Sequence, residues 1–239
     1  MHASLIPFQS FFMDGTIVEA SPETDGLKPG EVSTGTTIMA VAYPGGVVLA
    51  ADSRTSSGTY VGNRVSDKIA QLHDNIFCCR SGSAADTQAI TDIVRNQLSQ
   101  HAIEKGSAPL VATAAHLMRK LCYDYKDQLM AGVIVGGWDP VDGGSVYNIP
   151  LGGTLIKMEY AIGGSGSTYI YGLMDAMYSN DMNRDQIEAF CKKCVAHAMA
   201  RDGSSGGVIR TCTIEGNGDG KTASVSKSYT PGDKLPFGP

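Results

Sequence analysis

The chain has 239 residues, 42% hydrophobic and 18% charged, which is enough apolar material for one sizeable core. Its formal net charge is −5, and five acids against one lysine in residues 1–35 supply most of it. The remainder is nearly neutral and carries no basic field to attract nucleic acid, and no apolar run approaches the length of a membrane-spanning helix.

Residues 1–35, with Pro22, Pro29 and no sustained periodicity, read as a loosely structured, removable leader that lacks the positive n-region of a secretory signal. A β-type pattern starts abruptly at Thr36. Runs over 36–42 and 46–52, separated by Tyr43-Pro44-Gly45-Gly46, predict a hairpin. After Asp52-Ser53-Arg54 comes a polar stretch, then a second pair of strands over 68–72 and 75–80. Beyond Ser81-Gly82-Ser83 the period changes. Ile90, Val94 and Leu98, then Leu110, Ala114, Leu117 and Leu121, predict two helices of about twenty residues each, joined near 106–109. Strands return at 132–136, around 146–149 and at 154–158. Gly163 to Ser167 opens a short helix that runs to Tyr178. Asn183 and Gln186 have the spacing of a capping box for a helix with the stripe Ile187, Phe190, Cys191, Cys194, Ala198, and 208–213 is a strand. Strands, two helices, strands, two helices and strands predict an α+β fold, a four-layer αββα sandwich.

The boundary at Gly35-Thr36 suggests chemistry. A chain that began at Thr36 would combine a hydroxyl nucleophile and an amine base in one residue, whereas in the uncut chain that nitrogen is an amide. An α-amino group is substantially protonated at neutral pH and sheds its proton more readily beside a cation. A buried lysine supplies that cation and needs a carboxylate of its own. Asp52 and Lys68, at the ends of predicted strands, are the candidates, although each alone reads as an ordinary turn or solvated strand-end residue.

Other motifs carry less. Cys191 and Cys194 have CxxC spacing without a second pair, and both fit an apolar helix stripe, so core packing is the expectation and no metal site is assigned. Gly203-Ser204-Ser205-Gly206-Gly207 spells the nucleophile elbow of serine hydrolases, but that elbow follows a strand and precedes a helix, the reverse of the order here. Residues 216–220 read as a hairpin turn, and the five histidines fall in no triad or ligand pattern.

Several long segments together resemble one family. Thr36-Thr37-Ile38-Met39-Ala40-Val41, Gly45 through Arg54, Asn63 through Lys68, Arg80 through Asp86 and Arg201 through Gly207 are similar to the catalytic β subunits of the 20S proteasome, most of all the caspase-like branch that cleaves after acidic residues. The resemblance implies an N-terminal nucleophile hydrolase sandwich over 36–239, with 1–35 as a propeptide removed by self-cleavage at Gly35-Thr36. It implies Thr36 as nucleophile, Asp52 and Lys68 as the charged pair beneath it, and the Gly82 N–H as donor to the oxyanion. Ser165, Asp202 and Ser205 become the hydrogen-bonded group around the amino terminus. Arg80 lines the pocket for the residue before the scissile bond, with Thr55, Ser66 and Gln88 beside it.

The resemblance further implies a threonine endopeptidase without cofactor or metal. It would work in a 28-subunit barrel of four seven-membered rings of α and β subunits, on unfolded polypeptides delivered through regulatory caps, in cytoplasm and nucleus. A non-catalytic ring subunit, a bacterial-type threonine peptidase and a small-molecule amidase of the same fold stay open as alternatives. Ala51, where relatives often have Gly, and Ser66, where Thr is common, depart from the pattern.

Overall fold

The computed structural model describes residues 35–57 and 60–235; all but the last residue of the expected leader lies outside them. Two five-stranded antiparallel sheets stack face to face with a helical pair on each outer face. The first sheet contains β1 (Ile38–Tyr43), β2 (Gly46–Ala51), β10 (Tyr160–Gly163), β11 (Ile209–Gly216) and β12 (Ala223–Thr230), in the order β10-β1-β2-β11-β12. The second runs β5 (Ile69–His73), β6 (Ile76–Gly82), β7 (Ala131–Asp139), β8 (Gly143–Ile149), β9 (Ile156–Met158) in chain order. A separate ribbon pairs β3 (Thr55–Ser57) with β4 (Tyr60–Asn63).

Side-chain alternation along the strands produces the layering. In β1 and β2, Ile38, Ala40, Val47, Leu49 and Ala51 point into a core shared with Phe77, Cys79, Ile134 and Val146 of the second sheet. Met39, Val41, Val48 and Ala50 point the other way, onto Ile187, Phe190, Cys191, Cys194 and Ala198 of α4 (Arg184–Arg201). On the far side, Ile76, Cys78, Val133, Val135 and Ile149 meet Ile90, Val94 and Leu98 of α1 (Ala84–Lys105) and Ala114, Ala115 and Met118 of α2 (Val111–Asp124). Strands with both faces covered read as near-continuous apolar runs, and β2 is buried at all six positions. The αββα expectation is the architecture found.

The element ends have local causes. Ser83 Oγ accepts the Asp86 N–H at the start of α1, and Gly106 closes that helix in the left-handed conformation. Asn183 and Gln186 form the reciprocal capping box of α4. The start of α2 has no side-chain cap of its own; its Val111 N–H donates to Asp139 Oδ2 at the end of β7, 2.9 Å away.

Four sequence expectations need correction. The second helix has 14 residues rather than about twenty, because the chain turns at 125–128 while its composition still looks helical. The polar stretch after Arg54 contains the β3–β4 ribbon. Strands β10 and β12 also escaped the pattern, β10 for its shortness and β12 because it is mostly exposed, without an apolar face. The short helix opens as a 3-10 turn over Ser165–Tyr169 before α3 (Tyr171–Met177).

Candidate active site

The open ends of β1, β2, β5 and β6 and the loop after α4 converge on Thr36. Thr36 lies two residues before the start of β1 and is 3% exposed. Asp52 follows the last residue of β2 and is fully buried, and Lys68 immediately precedes β5. The antiparallel β1–β2 register sets Ile38 opposite Ala51, which puts the residues just beyond them, Thr37 and Asp52, side by side. A hairpin of fixed register thus carries Asp52 to the start of β1 without any sequence proximity.

Lys68 Nζ makes three contacts. It lies 2.7 Å from Asp52 Oδ1, 3.1 Å from Thr36 Oγ1 and 2.9 Å from the Gly35 carbonyl oxygen. As an ammonium, the lysine donates one proton to each of three oxygens. Burial pushes its pKa below the ordinary lysine value, against the opposing pull of the Asp52 carboxylate. Asp52 itself is saturated with donors. Its Oδ1 also accepts the Thr37 N–H at 2.9 Å, and its Oδ2 accepts the N–H groups of Arg54 at 3.1 Å and Gly206 at 3.0 Å. Full hydrogen bonding is what makes a buried carboxylate tolerable.

A second chain of hydrogen bonds reaches Thr36 from the other side. The Thr36 N–H donates to Ser165 Oγ at 3.1 Å, and Ser165 Oγ donates to Asp202 Oδ2 at 2.7 Å. Ser205 Oγ donates to the same oxygen at 2.6 Å and lies 2.8 Å from Thr37 Oγ1. Because Ser205 spends its single proton on the carboxylate, the Thr37 hydroxyl is the donor in that pair.

Gly35 lies so close to Ser204 that a Cβ on it would overlap the Ser204 Cβ and backbone. Gly82 ends β6 with φ +99°, a conformation that L side chains rarely adopt, and a Cβ there would meet the Met130 carbonyl.

Beside Thr36 is a cavity of about 70 Å³ lined by Thr36, Thr55, Ser66, Lys68, Arg80 and Gly82, with Asp67, Ala84 and Thr87. Arg80 donates through Nη2 to the Asp67 carbonyl at 2.9 Å, while its Nε is buried without a partner among the described residues. Gln88 is exposed on α1 and does not line the cavity in the single chain; its neighbour Thr87 does.

Lys68 thus joins Thr36 to Asp52, with Ser165, Asp202 and Ser205 linked to them through the Thr36 nitrogen and through Thr37. Sequence reasoning passed over two participants. Thr37 is the hinge between the two networks, contacting Asp52 and Ser205 at once. Arg54 donates from Nη1 to the Gly203 carbonyl at 3.0 Å and packs against Gly206. The Thr37–Ser205 and Arg54–Gly203 bonds each join residues about 150 or more positions apart in the chain, so local spacing gives no signal for them.

The site's setting agrees with sequence comparison. A model of the family described as "Proteasome subunit" matches residues 32–214. The chain is 55% identical over 205 residues to proteasome subunit beta type-6 of Dictyostelium discoideum, covering 86% of this chain and 93% of that protein. It is 52% identical over 192 residues to proteasome subunit beta type-1 of Saccharomyces cerevisiae, covering 80% and 89%. Against proteasome subunit beta type-9 of Bos taurus it is 49% identical over 216 residues, covering 90% and 95%. With the family model spanning most of the chain and beta-type relatives near half identity over nearly their full lengths, the chain belongs to the proteasome subunit family, as a beta subunit.

Proposed function

We propose that this chain is a threonine endopeptidase subunit of the proteasome core, that it creates its nucleophile by cutting its own Gly35–Thr36 bond, and that it cleaves polypeptides after acidic residues. The observation that carries the reading is Lys68, whose Nζ touches the Thr36 hydroxyl, the Gly35 carbonyl oxygen and the Asp52 carboxylate at once. Nucleophile, first scissile carbonyl and proton acceptor share one buried point.

The chemistry follows from that contact. With its pKa lowered by burial, Lys68 takes the Thr36 hydroxyl proton as Oγ1 attacks the Gly35 carbonyl carbon. The Gly35–Thr36 C–N bond then breaks, the Thr36 nitrogen gains a proton, and the leader is left esterified to Oγ1. Water hydrolyses that ester and releases residues 1–35 as a carboxylate, leaving residues 36–239 with a free hydroxyl and a free amine. The same hydroxyl then attacks a substrate carbonyl as the new Thr36 amine takes its proton; the substrate C–N bond breaks, the C-terminal fragment leaves as an amine that gains that proton, and a second water hydrolyses the acyl-enzyme. The Gly82 N–H is assigned to the oxyanion. Ser165, Asp202 and Ser205 orient the new amine through the hydrogen bonds that hold its amide precursor.

Acidic preference rests on Arg80. Its guanidinium lines the cavity beside Thr36 with one buried N–H unspent, and a carboxylate entering there would gain a charge-assisted partner.

As a member of its family the chain assembles with other proteasome subunits. The finer reading is a barrel of 28 subunits in four seven-membered rings, fed with unfolded polypeptide through caps on the α rings, in cytoplasm and nucleus. The test is mass analysis of the assembled subunit beside a Thr36→Ala variant, with peptide hydrolysis measured on both particles. Wild type should begin at Thr36 and cleave after Glu or Asp, and the variant should do neither. An active wild type that retains residues 1–35 would overturn the mechanism. Equal post-acidic cleavage by both particles would leave this subunit a structural ring member.

A further inference from the structure

The wall of the substrate cavity is a short loop, Val65 to Lys68, that enters β5. Ser66, Asp67 and Lys68 all line the cavity. Behind Asp67 lies a second, smaller cavity of about 40 Å³, bounded by Asp67, Ile69, Arg210, Thr211, Cys212, Lys227 and Ser228. At Asp67 the wall therefore has open space on both sides. Its position depends on hydrogen bonds, because a void supplies no dispersion contacts.

Those bonds come from both sheets. From β6, Arg80 Nη2 donates to the Asp67 carbonyl at 2.9 Å. From β11, Arg210 donates through Nε to the Ser66 carbonyl at 3.3 Å and through Nη2 to the Val65 carbonyl at 2.9 Å. Ser53 completes the anchor, its carbonyl accepting both the Ser66 N–H at 2.9 Å and the Ser66 hydroxyl at 2.8 Å. Among the described residues neither arginine forms an ion pair; both guanidinium groups hold loop carbonyls, and Arg80 keeps its Nε unspent toward the substrate cavity. The strand register places Arg210 opposite Ala51, one residue before Asp52. Its side chain thus bridges the strand end that holds the charged pair and the loop that walls the cavity.

We propose that Arg210 is a positioning residue for substrate selection: its two-pronged grip on consecutive carbonyls sets the Ser66–Asp67 wall at the distance from Arg80 that an acidic side chain requires. The inference rests on the post-acidic reading of the cavity. The catalytic lysine is held independently, its Nζ by Asp52 and its backbone carbonyl by the Arg80 N–H at 3.0 Å. The wall should therefore move more than the catalytic group. Lysine cannot replace the grip, since a single ammonium on a flexible stem does not reproduce a planar fork.

The experiment compares assembled particles carrying wild type, Arg210→Met, Arg210→Lys and Thr36→Ala, on fluorogenic peptides with Glu or Leu before the scissile bond. Rates are referred to the amount of subunit whose measured mass begins at Thr36. Both Arg210 variants are expected to raise KM for the Glu peptide roughly tenfold, the scale of one charge-assisted hydrogen bond, with a smaller change in kcat and a narrowed preference for Glu over Leu. In hydrogen exchange the Ser66 amide should exchange faster. Unchanged KM and preference in both variants, full rescue by Lys, or a fall in kcat alone would overturn the proposal. Should Arg210→Met not assemble, the milder Arg210→Lys carries the same comparison. Wild type indistinguishable from Thr36→Ala on the Glu peptide would remove the functional reading and this inference with it. A wild type that cleaves normally beside unaltered Arg210 variants removes only the inference.

Discussion

Lys68 makes the sharpest demands of any single residue. Its pKa is lowered because burial penalises the ammonium more than Asp52 favours it. A lysine whose folded value lies below its unfolded value binds fewer protons in the native state, so in the window between the two values stability rises with pH. The proton-accepting form grows in the same direction, and self-cleavage should therefore speed up as pH rises through the lowered value. Lys68→Arg keeps a cation that cannot shed its proton, and should slow self-cleavage by at least ~10². A time course of the shift from precursor to mature mass checks both, and an Arg variant that matures at the wild-type rate would exclude Lys68 as base. Gly35 makes a steric demand. Gly35→Ala forces a Cβ into Ser204, which displaces the scissile carbonyl from Lys68, so maturation should slow while the mature enzyme, once formed, has wild-type kcat. At this scale the sequence announced Thr36, Asp52 and Lys68 through the chemistry an N-terminal threonine needs. Thr37, Arg54 and Arg210 stayed hidden because their roles are hydrogen bonds to loops distant in sequence.

The elements that hold these residues were legible where a face alternates. β1, β2 and β6 alternate between two apolar environments, and α1 and α4 carry clear stripes flanked by cap residues. Elements without an apolar face, β3, β4 and β12, left no periodic trace. The end of α2 was misplaced for a related reason: residues 125–128 break the helix by backbone turns that composition does not encode. Caps separate local from tertiary control of helix ends. Asn183→Ala removes an exposed, sequence-local capping box and should cost about 1 kcal/mol in denaturant unfolding. Asp139→Ala removes a buried carboxylate that accepts the Val111, Val141 and Asp142 N–H groups at 2.9 Å each, binding the start of α2 to the end of β7. Its cost should reach about 3 kcal/mol, since buried donors are left unpaired. Equal costs for the two would show that α2 is fixed by its packing and not by Asp139.

For the molecule as a whole, the three stacked cores can be read through the six cysteines, because each core contains at least one. Cys78 and Cys122 lie under α1 and α2, Cys79 and Cys212 between the sheets, and Cys191 and Cys194 under α4. All are free thiols and all are buried. Burial pushes Cys78 and Cys122 up to about 11 and Cys194 and Cys212 up to about 12, and raises Cys79 and Cys191 well above the ordinary thiol value. The thiolate is the reactive species, so at pH 8 a thiol near 11 presents roughly one reactive form in a thousand, and sterically excluded reagent lowers the rate further. The CxxC pair on α4 follows the same rule, with Cys194 Sγ set 3.7 Å from Met174 Sδ in an apolar core. An alkylating reagent applied to the native chain at pH 8 should therefore leave all six cysteines unmodified over a time in which a free thiol reacts completely, and denaturant should expose all six. Labelling confined to Cys191 and Cys194 would mean that the α4 layer opens independently of the two sheets. The Asp202–Gly207 loop follows directly from α4, so such opening would also release Ser165, Ser205 and the hydrogen bond that holds the Thr36 nitrogen.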